Sequence, residues 1–424
     1  MLIIHNSLGM GGIETFIARL VKQRFYSGLK TNVLLIANKK LNNNNILDEV
    51  NKYAGIYYIN DLASGFLLPY LNLSAFYKKK ELELLLLDSK SIHVTFGNAL
   101  MVAEKICTVS GITLPISVGF YHSMEFCWGK DRKLPYYECI NRNVLFECIP
   151  VQNLFLFSSS IIDFYKEYAS ISLDGAATFR IGTVSIHKDY EKTIRKYDGF
   201  CRDRPFKICS VGRLVDFKKY NLWMIDVVNE LRVKGVSIQY HVYGDGPLYD
   251  EMHEKIKALN LDDSVFQVRS LEYAKFDEIV GDFDLFVGSG TAIIQAASLG
   301  VCSIVGVESL DEPLSYGYFN EVAKLDYNLK SVNLPLIDVK ALILKFIMMN
   351  EQEKQNLVSS HLSSCHEFSM ELCSSNFENA DLRLVQLRKR TALEYVFYDF
   401  SRLFSAIARR FYKGHPLNSL YDRV

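Results

Sequence analysis

Residues 283–307 read FDLFVGSGTAIIQAASLGVCSIVGV. The apolar runs at 284–288 and 302–307 are strand-length and rich in aromatic and β-branched residues, so each reads as a strand. Gly288-Ser289-Gly290 reads as a turn and 291–299 as a helix. Strand, glycine turn, helix, strand is a crossover unit, and such units build parallel sheets. The turn puts glycines where a strand ends and a helix begins, so the amides of Gly290, Thr291 and Ala292 can face an anion. Gln295, one turn later, offers a donor and an acceptor suited to a hydroxyl.

Working outward, the same alternation fills most of the chain. Strands are expected at 206–212, 237–244 and 265–269, separated by helices near 220–234, 247–259 and 272–281. An earlier series places strands at 2–6, 31–38, 55–60, 91–97, 115–122 and 153–159, with helices at 12–27, 78–87, 98–110 and 160–169. Residues 185–205, charged and without apolar periodicity, read as a linker. A chain of 424 residues exceeds one ordinary domain. The expectation is an α/β protein with Rossmann-like domains at 1–184 and 206–340. Helices at 341–393 would return toward the first domain, and 394–424 would form a basic amphipathic tail.

Composition narrows the function classes. With 48 basic and 48 acidic side chains, the overall field gives no reason to expect nucleic acid. The nine Cys lack metal-ligand spacing and read as buried free thiols. Met1 opens directly into LIIHN without a basic leader or cleavage site, and no apolar run reaches the ~20 residues needed to span a bilayer. The chain is therefore expected in the cytoplasm, soluble or peripheral on the inner face of the cell membrane.

Other strand ends carry candidate chemistry. HNSLGMGGIETF places Gly9, Gly11 and Gly12 between a strand and a helix, which suits either a tight turn or close backbone approach to a phosphate. SVGRLVDFKKYN puts Arg213 and Lys218 just past a strand, where open α/β sheets bind ligands. The pair would neutralise a diphosphate, Arg as a fork and Lys as a point charge, or else form a solvated basic loop. YGDGP at 243–247 is a turn with Pro at a helix start. His122 ends a strand in GFYHSMEF.

Taken in order, GG-x-E, G-R-L-x-x-x-K, G-D-G-P and the later glycine turn resemble the retaining glycosyltransferases of family 4 (glycosyl transferases group 1). The resemblance covers about residues 1–380 and is most specific over 206–307. It implies the GT-B fold, in which two Rossmann-like domains face a central cleft. It also implies a UDP- or GDP-sugar donor, no cofactor, and sugar transfer with retention to a saccharide or lipid-linked acceptor. By resemblance, Arg213 and Lys218 bind the donor diphosphate and stabilise the departing nucleotide. Gly11 and Gly12 close over the phosphates, His122 lies near the transferred sugar, and Gly290 and Thr291 seat the diphosphate. The family's paired Glu fall here on Val287 and Gln295, so Gln295 is expected to contact the ribose as an amide. Metal is not expected, since Asp282-Phe283-Asp284 leads straight into a strand. Two other readings remain open: a nucleotide-sugar 2-epimerase of the same fold, and a nucleotide-sugar-binding protein of weakened activity. The implied pathway is bacterial surface polysaccharide assembly, as of lipopolysaccharide or capsule.

Two segments bear on the acceptor. Residues 62–80 combine apolar and aromatic residues with three consecutive Lys, a surface for a lipid-linked acceptor or a packed loop and helix. In the tail, helical spacing puts Val396, Phe400, Leu403, Phe404, Ile407 and Phe411 on one face. Arg402, Arg409 and Lys413 fall on the other, with Arg410 at the flank. This pattern fits either an anionic membrane surface or packing against the first domain.

Overall fold

The computed structural model describes residues 1–9, 11–65, 70–129, 133–185, 204–269, 271, 275–325 and 334–412. The expected linker lies almost wholly outside these residues, as do Lys413 and the rest of the tail, and residues 272–274 of one expected helix. The chain divides into two compact units, Met1–Gly182 with Met370–Val424, and Thr183–Ser369. This is the α/β, doubly Rossmann-like organisation expected of the sequence.

The first unit is built on β1 (Leu2–His5), β2 (Asn32–Leu35), β3 (Gly55–Tyr58), β4 (Ile92–Val94), β5 (Ile116–Phe120), β6 (Leu154–Leu156) and β7 (Ala177–Thr178). They form one sheet in the order β3-β2-β1-β4-β5-β6-β7, with every pairing parallel. Central strands such as β1 are buried along their whole length, which requires helices on both faces and explains their near-continuous apolar runs. The chain rejoins this unit at Met370. Phe377, on the helix Met370–Asn379, inserts its ring among those of His93 and Phe155, at 4.9 and 5.0 Å. Arg390 makes a buried ion pair with Glu104 at 2.7 Å.

The final helix, Ala392–Phe411, is capped by Thr391 and Glu394. Its inner face is polar. Tyr398 donates to Asn141 Oδ1 at 2.7 Å, and Asp399 accepts from the backbone and hydroxyl of Ser74, both at 2.8 Å. Phe400, Phe404, Ile407 and Phe411, all on the expected apolar face, are exposed. Arg402 and Arg409, expected on the face opposite the apolar row, line a cavity of the first unit, so it is the polar face that turns toward the protein. The reason is local: Arg402 stacks on the Tyr70 ring at 5.7 Å, above a wall that also contains Glu125 and Glu138.

The second unit holds β8 (Phe206–Val211), β9 (Ile238–Tyr243), β10 (Val265–Val268), β11 (Leu285–Gly288) and β12 (Cys302–Val305) in the parallel order β10-β9-β8-β11-β12. The opening stretch is thus the β11–helix–β12 crossover. The helices Val339–Met348 and Glu351–Cys365 also lie in this unit, so the sequence-based boundary at 340 falls inside it. Leu342, Ile343 and Phe346 are buried in the second unit's core. His361 accepts the Ser303 N–H at 3.0 Å, while burial pushes its pKa down to about 4, so the ring stays neutral in that role.

Candidate active site

In the second unit, β8 ends at Val211 and the chain turns through Gly212-Arg213-Leu214. Gly212 N–H donates to Tyr243 O, Leu214 N–H to Asp245 O, and Leu248 N–H to Leu214 O, at 3.0 to 3.1 Å. A Cβ at Gly244 would collide with the Gly212 carbonyl, which explains why the Gly-Asp-Gly-Pro turn has no side chain there. That turn is the seat that fixes the Arg213 loop. Lys218 follows, just before the helix Tyr220–Val233. Neither Arg213 nor Lys218 forms an ion pair among the described residues. Burial, joined by the Arg213 charge, holds the Lys218 ammonium below its ordinary value against the pull of Glu308.

Beside them lies the β11 turn. Gly290 has φ +65, a conformation that favours glycine, and opens the helix Gly290–Ser298. Ser289 stands at the N-cap but makes no side-chain cap. Its hydroxyl instead donates to Glu308 Oε1 at 2.8 Å, and Tyr220 Oη lies 3.3 Å away. The first-turn amides therefore lack a side-chain acceptor from the cap residue, and Thr291 is exposed. Gln295 donates from Nε2 to Asp277 Oδ1 at 2.9 Å, which fixes the amide and leaves Oε1 as its acceptor. Lys218 thus feels the charges of both Arg213 and Glu308, and Glu308 in turn holds the Ser289 hydroxyl at the head of the Gly290 turn. Gln295 lies one helical turn along, tied to Asp277.

Glu308 was missed by sequence reading. Burial raises its carboxyl, opposed by the Ser289 hydrogen bond and the Lys218 charge. Its signal was available: a lone carboxylate directly after the buried run CSIVGV, at the ligand-binding end of a parallel strand. Asp284 is fully spent on Arg204, whose two terminal nitrogens reach it at 2.5 and 2.7 Å, and on Lys207 N–H at 2.8 Å.

In the first unit, Gly11 is the N-cap of the helix Gly12–Tyr26. A Cβ there would collide with the Glu14 carboxylate, which folds back to 3.6 Å from His5 Nε2. Burial alone would raise Glu14, but the nearby His5 ring and its own backbone amide outweigh burial and leave it lowered. Around Gly12 the space is open: a Cβ added there would meet no atom within 4 Å. His122 lies two residues past β5. Its Nδ1 accepts the Met124 N–H at 3.0 Å, so Nε2 carries the proton of the neutral ring. Nε2 is buried without a hydrogen-bond partner, and burial lowers the ring's pKa. A neutral imidazole with one uncommitted donor is what this turn presents.

No protein-family profile matches the chain, and no curated protein matches it by sequence. Solved structures do match by fold. HepE of Anabaena in complex with UDP aligns with TM-score 0.59 and 14% identity over 89% of this chain and 98% of that one. A mutant of S. aureus TarM, in complex with fondaparinux, α-GlcNAc-glycerol and UDP, aligns with TM-score 0.56 and 12% identity over 90% and 99%. WaaB, a lipopolysaccharide outer core galactosyltransferase, aligns with TM-score 0.52 and 15% identity over 89% and 98%. At these identities the likeness is one of fold, and the chain has the GT-B fold of these glycosyltransferases.

Proposed function

We propose that this chain is a glycosyltransferase that moves a sugar from a nucleotide-sugar donor, a UDP-sugar or a GDP-sugar, to a saccharide or lipid-linked acceptor. The observation that carries this reading is the pair of cations without ion-pair partners among the described residues, Arg213 and the largely buried Lys218, in one electrostatic neighbourhood with Glu308, which holds Ser289 at the start of the Gly290 helix. Breaking a sugar–phosphate bond puts negative charge on a diphosphate, and fixed donors aimed at that charge are the largest catalytic lever a protein has. Gly290 and Thr291 supply backbone amides to the diphosphate. Gln295 accepts a ribose hydroxyl on Oε1, and Glu308 is a second acceptor in reach of the same nucleotide. The amides of Gly11 and Gly12 approach the phosphates, and His122 donates from Nε2 to the transferred sugar. These protein cations make the transfer independent of a metal, and the departing phosphate takes the acceptor's proton, with retention at the anomeric carbon. Support for UDP as the first nucleotide to test comes from HepE and TarM, whose structures hold it. The likeness to WaaB supports a role in surface polysaccharide assembly. A thermal-shift screen of nucleotide sugars, followed by NMR of the product anomer, tests the reading. A folded chain stabilised by no nucleotide sugar, or a product of inverted configuration, would contradict it.

The same reading places the protein on an anionic membrane surface through its final helix. No helix among the described residues is long and apolar enough to cross a membrane. Support comes from the exposed row Phe400, Phe404, Ile407 and Phe411, with the exposed Arg410 at its flank. Because Arg402 and Arg409 turn inward, apolar insertion outweighs charge in this contact.

A further inference from the structure

The first unit holds a cavity of about 190 Å³ that no part of the proposed donor site uses. Its walls include Phe96, Trp128 and Tyr137, with Asn98, Glu125 and Arg402 supplying polar groups. Most neighbouring polar groups are satisfied within the protein. Glu138 pairs with Arg142 at 2.9 Å, and Asn141 bridges Glu138 and Tyr398. Two groups are not. Asn98 is 6% exposed and its Nδ2 has no partner, although its Oδ1 accepts from Tyr398 at 3.5 Å. Arg402 Nη1 is likewise buried without a partner. Both are donors, and a buried donor left unpaired is costly, so the cavity lacks an acceptor-rich occupant.

Three further features give that occupant's charge, size and shape. Asn98 lies in the first turn of the 14-residue helix Gly97–Ser110, whose N-cap residue, Phe96, contributes no side-chain cap. This end of the helix carries positive potential. Glu125, the cavity carboxyl without an ion pair among the described residues, is pushed up to about 7 by burial and by Glu138. It therefore carries much of its proton at neutral pH and offers a further donor instead of a full negative charge. The volume falls below the ~300–1,000 Å³ of sites for drug-sized ligands, so one ring fits and a chain does not. Aromatic walls suit the apolar face of a sugar ring.

We propose that this cavity binds one sugar residue bearing an anionic oxygen group, a phosphate or a carboxylate, with Asn98 Nδ2 and Arg402 holding the anion. Its position fits the acceptor side: Glu125 N–H donates to the His122 carbonyl at 3.1 Å, so both residues share one turn. Naming this ligand as the acceptor rests on the transferase reading above, whereas its binding does not. It also gives the final helix a role at the site, because Arg402 belongs to that helix.

The test uses the full chain and follows the fluorescence of its two Trp, of which Trp128 lines the cavity. Glucose 6-phosphate, glucuronate, glucose and inorganic phosphate are titrated separately, with UDP titrated by calorimetry on the same samples. Glucose 6-phosphate or glucuronate should bind at least ~10-fold more tightly than glucose and than phosphate, as expected for hydrogen bonds to a charged group. Which of the two binds better identifies the anion. Arg402→Gln and Asn98→Ala should each lose that preference while UDP affinity stays unchanged, and Arg410→Gln, on the exposed flank, should behave as wild type. Equal affinity for glucose and its anionic derivatives would overturn the proposal. So would phosphate alone binding as tightly as the sugar phosphate, or an undiminished preference in both folded cavity variants. Loss of UDP binding in wild type would count against the transferase reading alone.

Discussion

Glu125 gives a prediction whose size follows from one number. Its carboxyl is raised from 4.5 to about 7, first by burial and then by the charge of Glu138. Below pH 4.5 the group is protonated folded or unfolded, and it adds no pH dependence. Between pH 4.5 and about 7 the unfolded chain has released this proton while the folded chain keeps it, so stability falls as pH rises. Every pH unit that separates the folded from the unfolded titration is worth about 1.4 kcal/mol, so the full penalty above pH 7 is about 3 kcal/mol. Glu125→Gln keeps the shape and removes the titration. Urea unfolding of wild type and variant between pH 4.5 and 8.5, followed by Trp fluorescence and circular dichroism, reads the difference directly. The variant should gain about 3 kcal/mol on wild type between the acid and alkaline ends, with most of the gain between pH 5 and 7. Parallel stability curves across the range would refute the raised carboxyl assigned to Glu125.

Other substitutions test other parts of the account. Arg213→Ala should reduce sugar transfer at least ~100-fold with little change in melting temperature, as for loss of a preorganised charge stabiliser on an exposed side chain; near-normal turnover would remove it from the diphosphate site. Gln295→Ala should weaken nucleotide-sugar binding in a calorimetric titration while Gln295→Glu retains much of it, since both Gln and Glu can accept a ribose hydroxyl; equal affinity in wild type and Gln295→Ala would leave the residue only its bond to Asp277. His122→Ala should lower the transfer rate more than nucleotide affinity, and an unchanged rate with lowered stability would make the ring structural. Phe404→Asp should release the protein from phosphatidylglycerol vesicles without lowering its melting temperature, because Phe404 is exposed; undiminished vesicle binding would exclude this face as the anchor.

Fold and site were legible to different degrees, for physical reasons. Strands buried on both faces, such as Leu2–His5 and Leu285–Gly288, announce themselves as short continuous apolar runs, and their alternation with helices yields a parallel sheet. The two-residue strand Ala177–Thr178 and the helix Tyr136–Asn143, with its mixed aromatic and charged sequence, carry no such signal. Where the chain rejoins the first unit depends on which core receives Phe346 and which receives Phe377, and periodicity does not encode that. The final helix shows the limit most clearly. Its apolar and polar faces were readable, but burial of the polar one follows from Asn141, Ser74 and Tyr70, all more than 250 residues away in sequence. Glycine turns and the cations beside them were visible because they sit at strand ends. The groups that shape their chemistry, the Glu308 charge near Lys218 and the Asp277 acceptor of Gln295, come from separate elements, and spacing along the chain does not pair them.

Arg213, Lys218 and the Gly290 turn are proposed as the diphosphate seat of a sugar-nucleotide donor. Calorimetric titration of UDP, GDP and their sugars into the wild-type chain and Lys218→Ala tests it most directly. Wild type should bind at least one of these nucleotides saturably, and the folded variant at least ~10-fold more weakly through loss of a charge-assisted contact. Binding of equal strength in both proteins, or none in a folded wild type, would contradict it.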